Sequence, residues 1–212
     1  MKRIVKTIIA ASLMLISTQA FAQLSVGVGY LNSTSKTKAG DVVSTLPSNG
    51  FYAGAEYNIS DGKGFGISAG AYYSYLIAAK SGNGSIAGIN LGGKATVEEM
   101  YLDIPVNFNL SAKVNSSLRA FLFAGPTFSV GLSSTTKGEG SIGGINLETG
   151  KHDNYSDDDY NRFDILLGGG IGIDYGSLRL KVGYNAGMLN RYKSDNVIQK
   201  RNVLSAGIAF LF

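Results

Sequence analysis

The chain has 212 residues, with 29 Gly, three Pro, no Cys and a formal charge of +4. Three of its 19 Lys+Arg and none of its 15 Asp+Glu lie in residues 1–22, which leaves 16 cations against 15 anions in the remainder; that balance gives no case for nucleic acid as a partner. The absence of cysteine removes disulfides and thiol chemistry, and about 190 residues beyond the leader suit one domain.

Residues 1–22 read as a cleaved secretory signal. Lys2, Arg3 and Lys6 form a charged start, Ile8 to Ile16 an apolar run, and Ala20-Phe21-Ala22 a small-residue cleavage site before Gln23. The run is too short for a spanning helix. Gln23, not Cys, follows the cut, so no lipoprotein anchor is expected.

Eight strands follow by period-2 alternation. In the first, Leu24, Val26, Val28 and Tyr30 oppose Ser25, Gly27 and Gly29; in the second, Phe51, Ala53, Ala55, Tyr57 and Ile59 oppose Tyr52, Gly54, Glu56 and Asn58. The third sets Phe65, Ile67, Ala69, Ala71, Tyr73 and Tyr75 against Gly66, Ser68, Gly70, Tyr72 and Ser74. The fourth runs from Glu99 to Leu110, with Met100, Leu102, Ile104, Val106 and Phe108 on one face and Tyr101, Asp103 and Asn107 on the other. The fifth, Leu118 to Val130, places Leu122, Ala124 and Phe128 opposite Arg119, Phe121 and Phe123. The sixth, Arg162 to Tyr175, places Phe163, Ile165, Leu167, Ile171 and Ile173 opposite Asp164, Leu166 and a run of Gly. The seventh, Leu178 to Met188, opposes Leu180, Val182 and Tyr184 to Arg179 and Lys181, and the eighth, Val203 to Phe212, opposes Leu204, Ile208 and Phe210 to Val203, Ser205 and Gly207.

The connections alternate long and short. Residues 32–49, 79–94, 133–161 and 190–200 are long; 60–63, 111–116 and 176–177 are short. An up-and-down meander requires that rhythm, and in an outer-membrane barrel the tight turns face the periplasm. The first strand, near Val26, is expected to close the ring on the last, near Ile208.

Which face points inward follows from volume. One face carries roughly forty mostly large apolar residues, far more than an eight-stranded lumen holds. The other mixes Gly, Ser and Asn with charge, which suits a narrow polar interior. Aromatics on the apolar face fall at two heights: Tyr30, Phe51, Tyr73, Tyr75, Phe128 and Phe163 toward the long loops, and Tyr57, Phe65, Phe108, Tyr175, Phe210 and Phe212 toward the turns. Such pairs of girdles mark the two membrane interfaces. Pro105 and Pro126 interrupt this pattern, because each removes a ladder donor inside a strand; a bulge or an unpaired position is expected there.

Four short motifs carry a family resemblance: Tyr101-Leu-Asp-Ile-Pro-Val-Asn-Phe108, Phe123-Ala-Gly-Pro126, Arg162-Phe-Asp164 and Gly168-Gly-Gly-Ile-Gly172. Over about residues 23–212 the chain resembles the Bacteroidetes outer-membrane β-barrel domain, the PorT-like family. The resemblance implies an all-β, eight-stranded, OmpA/OmpX-type transmembrane barrel in the cell outer membrane, with Phe212 as the terminal signal read by the barrel-assembly machinery. PorT's link to secretion is not carried over. No peptidoglycan-binding domain is expected after Phe212.

Four sets of candidate functional groups stand out. Arg119, Arg162, Arg179 and Lys181 can meet Glu56, Glu99, Asp103, Asp164 and Asp174 across the lumen, as an ion path or as a salt-bridge plug; an eight-stranded barrel without an open channel favours the plug. His152, the only histidine, lies in Lys151-His-Asp-Asn154 on a loop without a positioned Ser. Nucleophilic catalysis needs nucleophile, base and orienter within reach, so no catalytic residue is assigned. Asp153, Asp157, Asp158 and Asp159 lack calcium-loop spacing, so neither metal nor cofactor is expected. Finally, Gly84-Ser-Ile-Ala-Gly-Ile-Asn-Leu91 recurs as Gly140-Ser-Ile-Gly-Gly-Ile-Asn-Leu147, placing Ile86, Ile89, Leu91, Ile142, Ile145 and Leu147 on neighbouring outer loops. They form either a partner surface or a mutually paired β-arm. A monomeric, non-enzymatic barrel for surface contact, adhesion or envelope integrity is the expected role, with outer-membrane lipid and an envelope or extracellular protein as partners. A small-solute channel and a lipid A-modifying enzyme are the alternatives.

Overall fold

Alternating apolar side chains from Leu24 onward place the chain in extended strands, and the lipid-facing side has no polar interruption to stop them. The computed structural model describes residues 21–60, 64–86, 89–142, 145–156, 160–193 and 196–212. Most of the expected signal, residues 1–20, therefore lies outside the described residues. Nine strands form: β1 (Phe21–Ala39), β2 (Val42–Ser60), β3 (Phe65–Ile86), β4 (Ile89–Lys113), β5 (Leu118–Ile142), β6 (Ile145–Asp153), β7 (Phe163–Tyr175), β8 (Leu178–Gly187) and β9 (Val197–Leu211).

Eight of them close a ring of antiparallel neighbours, β1-β2-β3-β4-β5-β7-β8-β9, sealed by β1 on β9 with Val26 opposite Phe210 and Val28 opposite Ile208. β6 is the strand that periodicity did not give. It pairs with β5 alone, from Thr135↔Asp153 to Ile142↔Ile145, above the point where β5 leaves β7 at Val130↔Phe163. Among the described residues no helix is long and apolar enough to cross a membrane.

Two tight turns show why the register holds. Ala39 pairs with Val42 and Tyr175 with Leu178, leaving two-residue connections in which Gly40 (φ 58°) and Gly176 (φ 57°) take the left-handed conformation that such hairpins demand. The prolines leave their mark as expected. Ladder pairing between β3 and β4 skips Gly70 and Ala71 against Pro105 and Ile104, and between β4 and β5 it skips Val106 and Asn107 against Pro126 and Gly125.

The faces are inside-out relative to a soluble barrel. Val28, Phe51, Phe65, Phe108, Ile171 and Tyr175 are each more than half exposed, whereas Ser25, Glu56, Asp174 and Arg179 are at most 5% exposed. A small apolar cluster of Leu31, Leu76, Tyr101, Leu166 and Val203 also lies inside, joined by Tyr52. Inward aromatics reach over the glycines. A Cβ on Gly170 would stand 2.6 Å from the Phe123 ring, one on Gly172 2.3 Å from Phe121, and one on Gly29 2.4 Å from Tyr52. The glycine run of β7 is thus the floor on which two phenylalanines rest, and it fixes how narrow the lumen is.

Candidate functional site

Alternation along β2, β5, β7 and β8 carries Glu56, Arg119, Asp174, Arg179 and Lys181 into the lumen at the end of the Gly176 turn. A cavity of about 770 Å³ opens at that end, lined by Asn58, Asn109, Phe212 and, deeper, Phe121, Asp174 and Arg179. Asp174 accepts from Arg179 Nε at 2.7 Å and Nη2 at 3.0 Å, and its Oδ2 lies 2.8 Å from Arg119 Nη2. Glu56 receives Lys181 Nζ at 2.9 Å and Tyr72 Oη at 3.4 Å, with Arg179 Nη1 at 3.6 Å. The Arg179 guanidinium lies 4.7 Å from the Phe121 ring centre, and Lys181 Nζ 4.5 Å from that of Phe123. Every charge here is held by at least one opposite charge, as burial in a low-dielectric interior requires.

Above the Glu56–Arg179 pair the lumen narrows to a cavity of about 100 Å³, bounded by Tyr52, Tyr72, Asp103, Leu166, Lys181 and Arg201. A second charged layer closes it from the outside. Arg201, 1% exposed, stacks 3.8 Å from the Tyr101 ring centre, donates to Ser129 Oγ at 2.8 Å and lies 3.6 Å from Asp103. Asp103 also accepts from Ser74 Oγ at 2.6 Å. Arg191 folds in from the connection between β8 and β9 and donates to Glu99 Oε1 and Tyr101 Oη, both at 2.7 Å. Tyr155 covers the mouth beside it, its hydroxyl 1.9 Å from where a Cβ on Gly131 would stand. Tyr160 and Tyr192 clasp this lid, hydroxyl to hydroxyl at 2.6 Å; burial first, then this hydrogen bond, pushes the Tyr160 phenol well above its ordinary range.

The expected plug residues are therefore distributed as follows. Glu56, Arg179 and Lys181 meet directly, Arg119 joins them through Asp174, and Asp103 serves the upper layer. Asp164 points inward, yet it accepts from the Leu189 backbone N–H at 3.3 Å and is not within ion-pair distance of a cation among the described residues. Arg162 corrects the expectation. β7 begins one residue later, at Phe163, so Arg162 has no strand geometry to aim it inward; it is exposed, 4.4 Å from the Tyr155 ring centre. Of the two buried cations of the upper layer, Arg191 falls in what the sequence assigns to a loop and Arg201 between that loop and the last expected strand. Lys36, Lys38 and Lys200 were missed for the same reason.

The repeated loops are strands. Each copy turns back on itself, Ile86 against Ile89 and Ile142 against Ile145, and the two hairpins join edge to edge at Leu91↔Ile142 and Gly93↔Gly140. The side chains of Ile86, Ile89, Leu91, Ile142, Ile145 and Leu147 lie outside the described residues. Below them Lys94 faces Glu139 at 4.0 Å, and Lys137 donates to Glu98 at 2.6 Å, a hydrogen bond that holds the Lys137 ammonium above its ordinary value. His152 sits exposed on β6 opposite Thr136. Among the described residues no group of three His, Cys, Asp or Glu could hold a metal; Asp157, Asp158 and Asp159 lie outside them.

Residues 17–193 match the model of the outer membrane protein beta-barrel domain. The chain belongs to that family. It is an integral protein of the cell outer membrane. Among solved structures it is similar to Ail, the attachment invasion locus protein of Yersinia pestis, in complex with the heparin analogue sucrose octasulfate, at 14% identity and a TM-score of 0.42, over 90% of this chain and 99% of that one. Neisserial surface protein A is similar at 15% identity and a TM-score of 0.42, over 89% of this chain and 99% of that one. LpxR from Salmonella typhimurium is similar at 10% identity and a TM-score of 0.34, over 89% of this chain and 100% of that one. No curated protein matches the chain.

Proposed function

We propose that this barrel is a non-enzymatic surface-contact protein whose working part is the paddle that β3, β4, β5 and β6 raise above the membrane. The observation that supports it is a split in the wall. β2 leaves β3 at Asn49↔Ile77, and beyond that point, among the described residues, β2 pairs only with β1 while β3 pairs only with β4. Two strand edges with free backbone donors and acceptors then face outward, a template for adding an extended segment of a partner protein. A channel fits less well, because two charged layers and their aromatic lids occupy the lumen. A lipid-modifying enzyme fits less well too, since His152 stands on β6, above the last rung that β5 shares with β7. The motif resemblance supports a PorT-like barrel of the Bacteroidetes envelope, monomeric and assembled through Phe212, whose ring packs edge-on against Phe210 at 5.0 Å.

The test is a variant in which residues 81–92 are replaced by a tight turn. It should still insert and run as a heat-modifiable barrel, leave solute permeability and lipid A composition unchanged, and lose the crosslinks that wild type forms with one surface protein in intact cells. Retained crosslinks together with altered permeability or lipid A would refute the proposal.

A further inference from the structure

On the paddle Lys94 and Lys137 carry acidic partners, whereas three lysines on the opposite side of the barrel have none among the described residues. Lys36 of β1 stands directly across the ladder from Lys200 of β9, and Lys38 follows one outward step further on. All three are exposed and share the parity of Tyr30, Leu204 and Ile208, so they project from the outer wall rather than into the lumen. Like charges directly opposite on a sheet repel and destabilise it. Four and six residues toward the membrane from Lys36, at Asn32 and Tyr30, the same face is closed by hydrogen bonds to Asn49, and on the β2 side it continues through Thr45 and Val43. No acidic residue occupies that face among the described residues; Asp41 sits beyond it in the hairpin turn. On the paddle Lys94 faces Glu139, and where Lys137 stands opposite Lys151 it is neutralised by Glu98.

We propose that Lys36, Lys38 and Lys200 form a binding patch for the phosphate groups of the lipopolysaccharide that surrounds the barrel in the outer leaflet. Position decides the occupant. Tyr30 belongs to the outer aromatic girdle, and six further residues of tilted strand raise Lys36 about 15 Å above it. That height corresponds to the phosphorylated sugars of the glycolipid, and flexible lysine stems let the ammonium groups reach down toward them. A bound phosphate relieves the repulsion between Lys36 and Lys200. The proposal rests on strand register and charge, and stands whether or not the paddle binds a protein.

The experiment uses the full folded chain in detergent micelles and rough lipopolysaccharide that keeps its phosphorylated inner core. Near an anionic surface each lysine contributes roughly a fivefold gain in affinity, so K36Q/K38Q/K200Q should bind on the order of a hundredfold more weakly than wild type. The same lipopolysaccharide stripped of phosphate should bind both proteins equally weakly, and K94Q/K137Q should match wild type. Should the triple variant fail to show heat-modifiable mobility, K200Q alone is measured, with a fivefold loss expected. Unchanged affinity in the lysine variants, or undiminished binding of the dephosphorylated glycolipid to wild type, would overturn the proposal. So would a thermal stabilisation by inorganic phosphate as large as that by the glycolipid.

Discussion

Replacing Glu56 by Gln tests whether the lower charged layer is a stabilising plug. Glu56 is 2% exposed and is the carboxylate that Lys181 contacts, at 2.9 and 3.1 Å. Gln keeps the shape but leaves the Lys181 ammonium uncompensated in the interior. Breaking a buried pair by removing one partner costs about 3–5 kcal/mol. The lower figure applies here, because Arg179 keeps Asp174 at 2.7 Å and the Lys181 side chain is 18% exposed beside Phe123. With a slope of about 4 kcal/mol per molar in guanidinium, the unfolding midpoint should fall by about 0.8 M. The chain contains no Trp, so far-UV circular dichroism of the detergent-folded barrel, with coincident folding and unfolding curves, is the readout. The companion variant E56M/K181M removes both charges and should return to within about 1 kcal/mol of wild type, since an apolar pair of similar volume replaces a desolvated ion pair. An unshifted midpoint in E56Q, or a double variant as unstable as the single one, would refute the reasoning.

Two further outcomes are expected. R191A removes the cation that Glu99 and Tyr101 share, so planar-bilayer recordings should change from silent to brief, irregular openings, while steady large currents in wild type would contradict a filled lumen. N-terminal sequencing of protein from purified outer membranes should begin at Gln23; an intact Met1 would contradict the signal assignment.

The ring was legible because lipid tolerates nothing but apolar side chains on one parity, so eight segments betray themselves by unbroken alternation. Above the membrane that constraint ends. Both faces of β1 beyond Leu31 are polar, Asn32-Ser-Thr-Ser-Lys-Thr-Lys38, and a period-2 reading has nothing to follow, although the ladder continues to Ala39. Lys36, Lys200, Arg201 and β6 were all lost in that way. Within the lumen, parity puts Glu56, Asp103, Arg179 and Lys181 on the inward face but does not choose their partners. Asp174, which binds two arginines, was visible only as one more inward acid. Arg162 failed for the converse reason, since parity was extended one residue past the start of a strand.

The two prolines give the barrel wall an uneven stiffness. On either side of β4, at the depth of Pro105 and Pro126, neighbouring strands lie side by side without the cross-links that bind them elsewhere. A hoop with one soft joint does not deform uniformly: under lateral pressure, or in a bilayer thinner than its apolar band, it ovalises about that joint while the arc from β7 through β2 stays circular. Amide exchange from within the membrane should accordingly begin at Val106 and Gly125, and the small cavity lined by Pro105, Asn107 and Thr127 lies directly behind the place where the wall yields first.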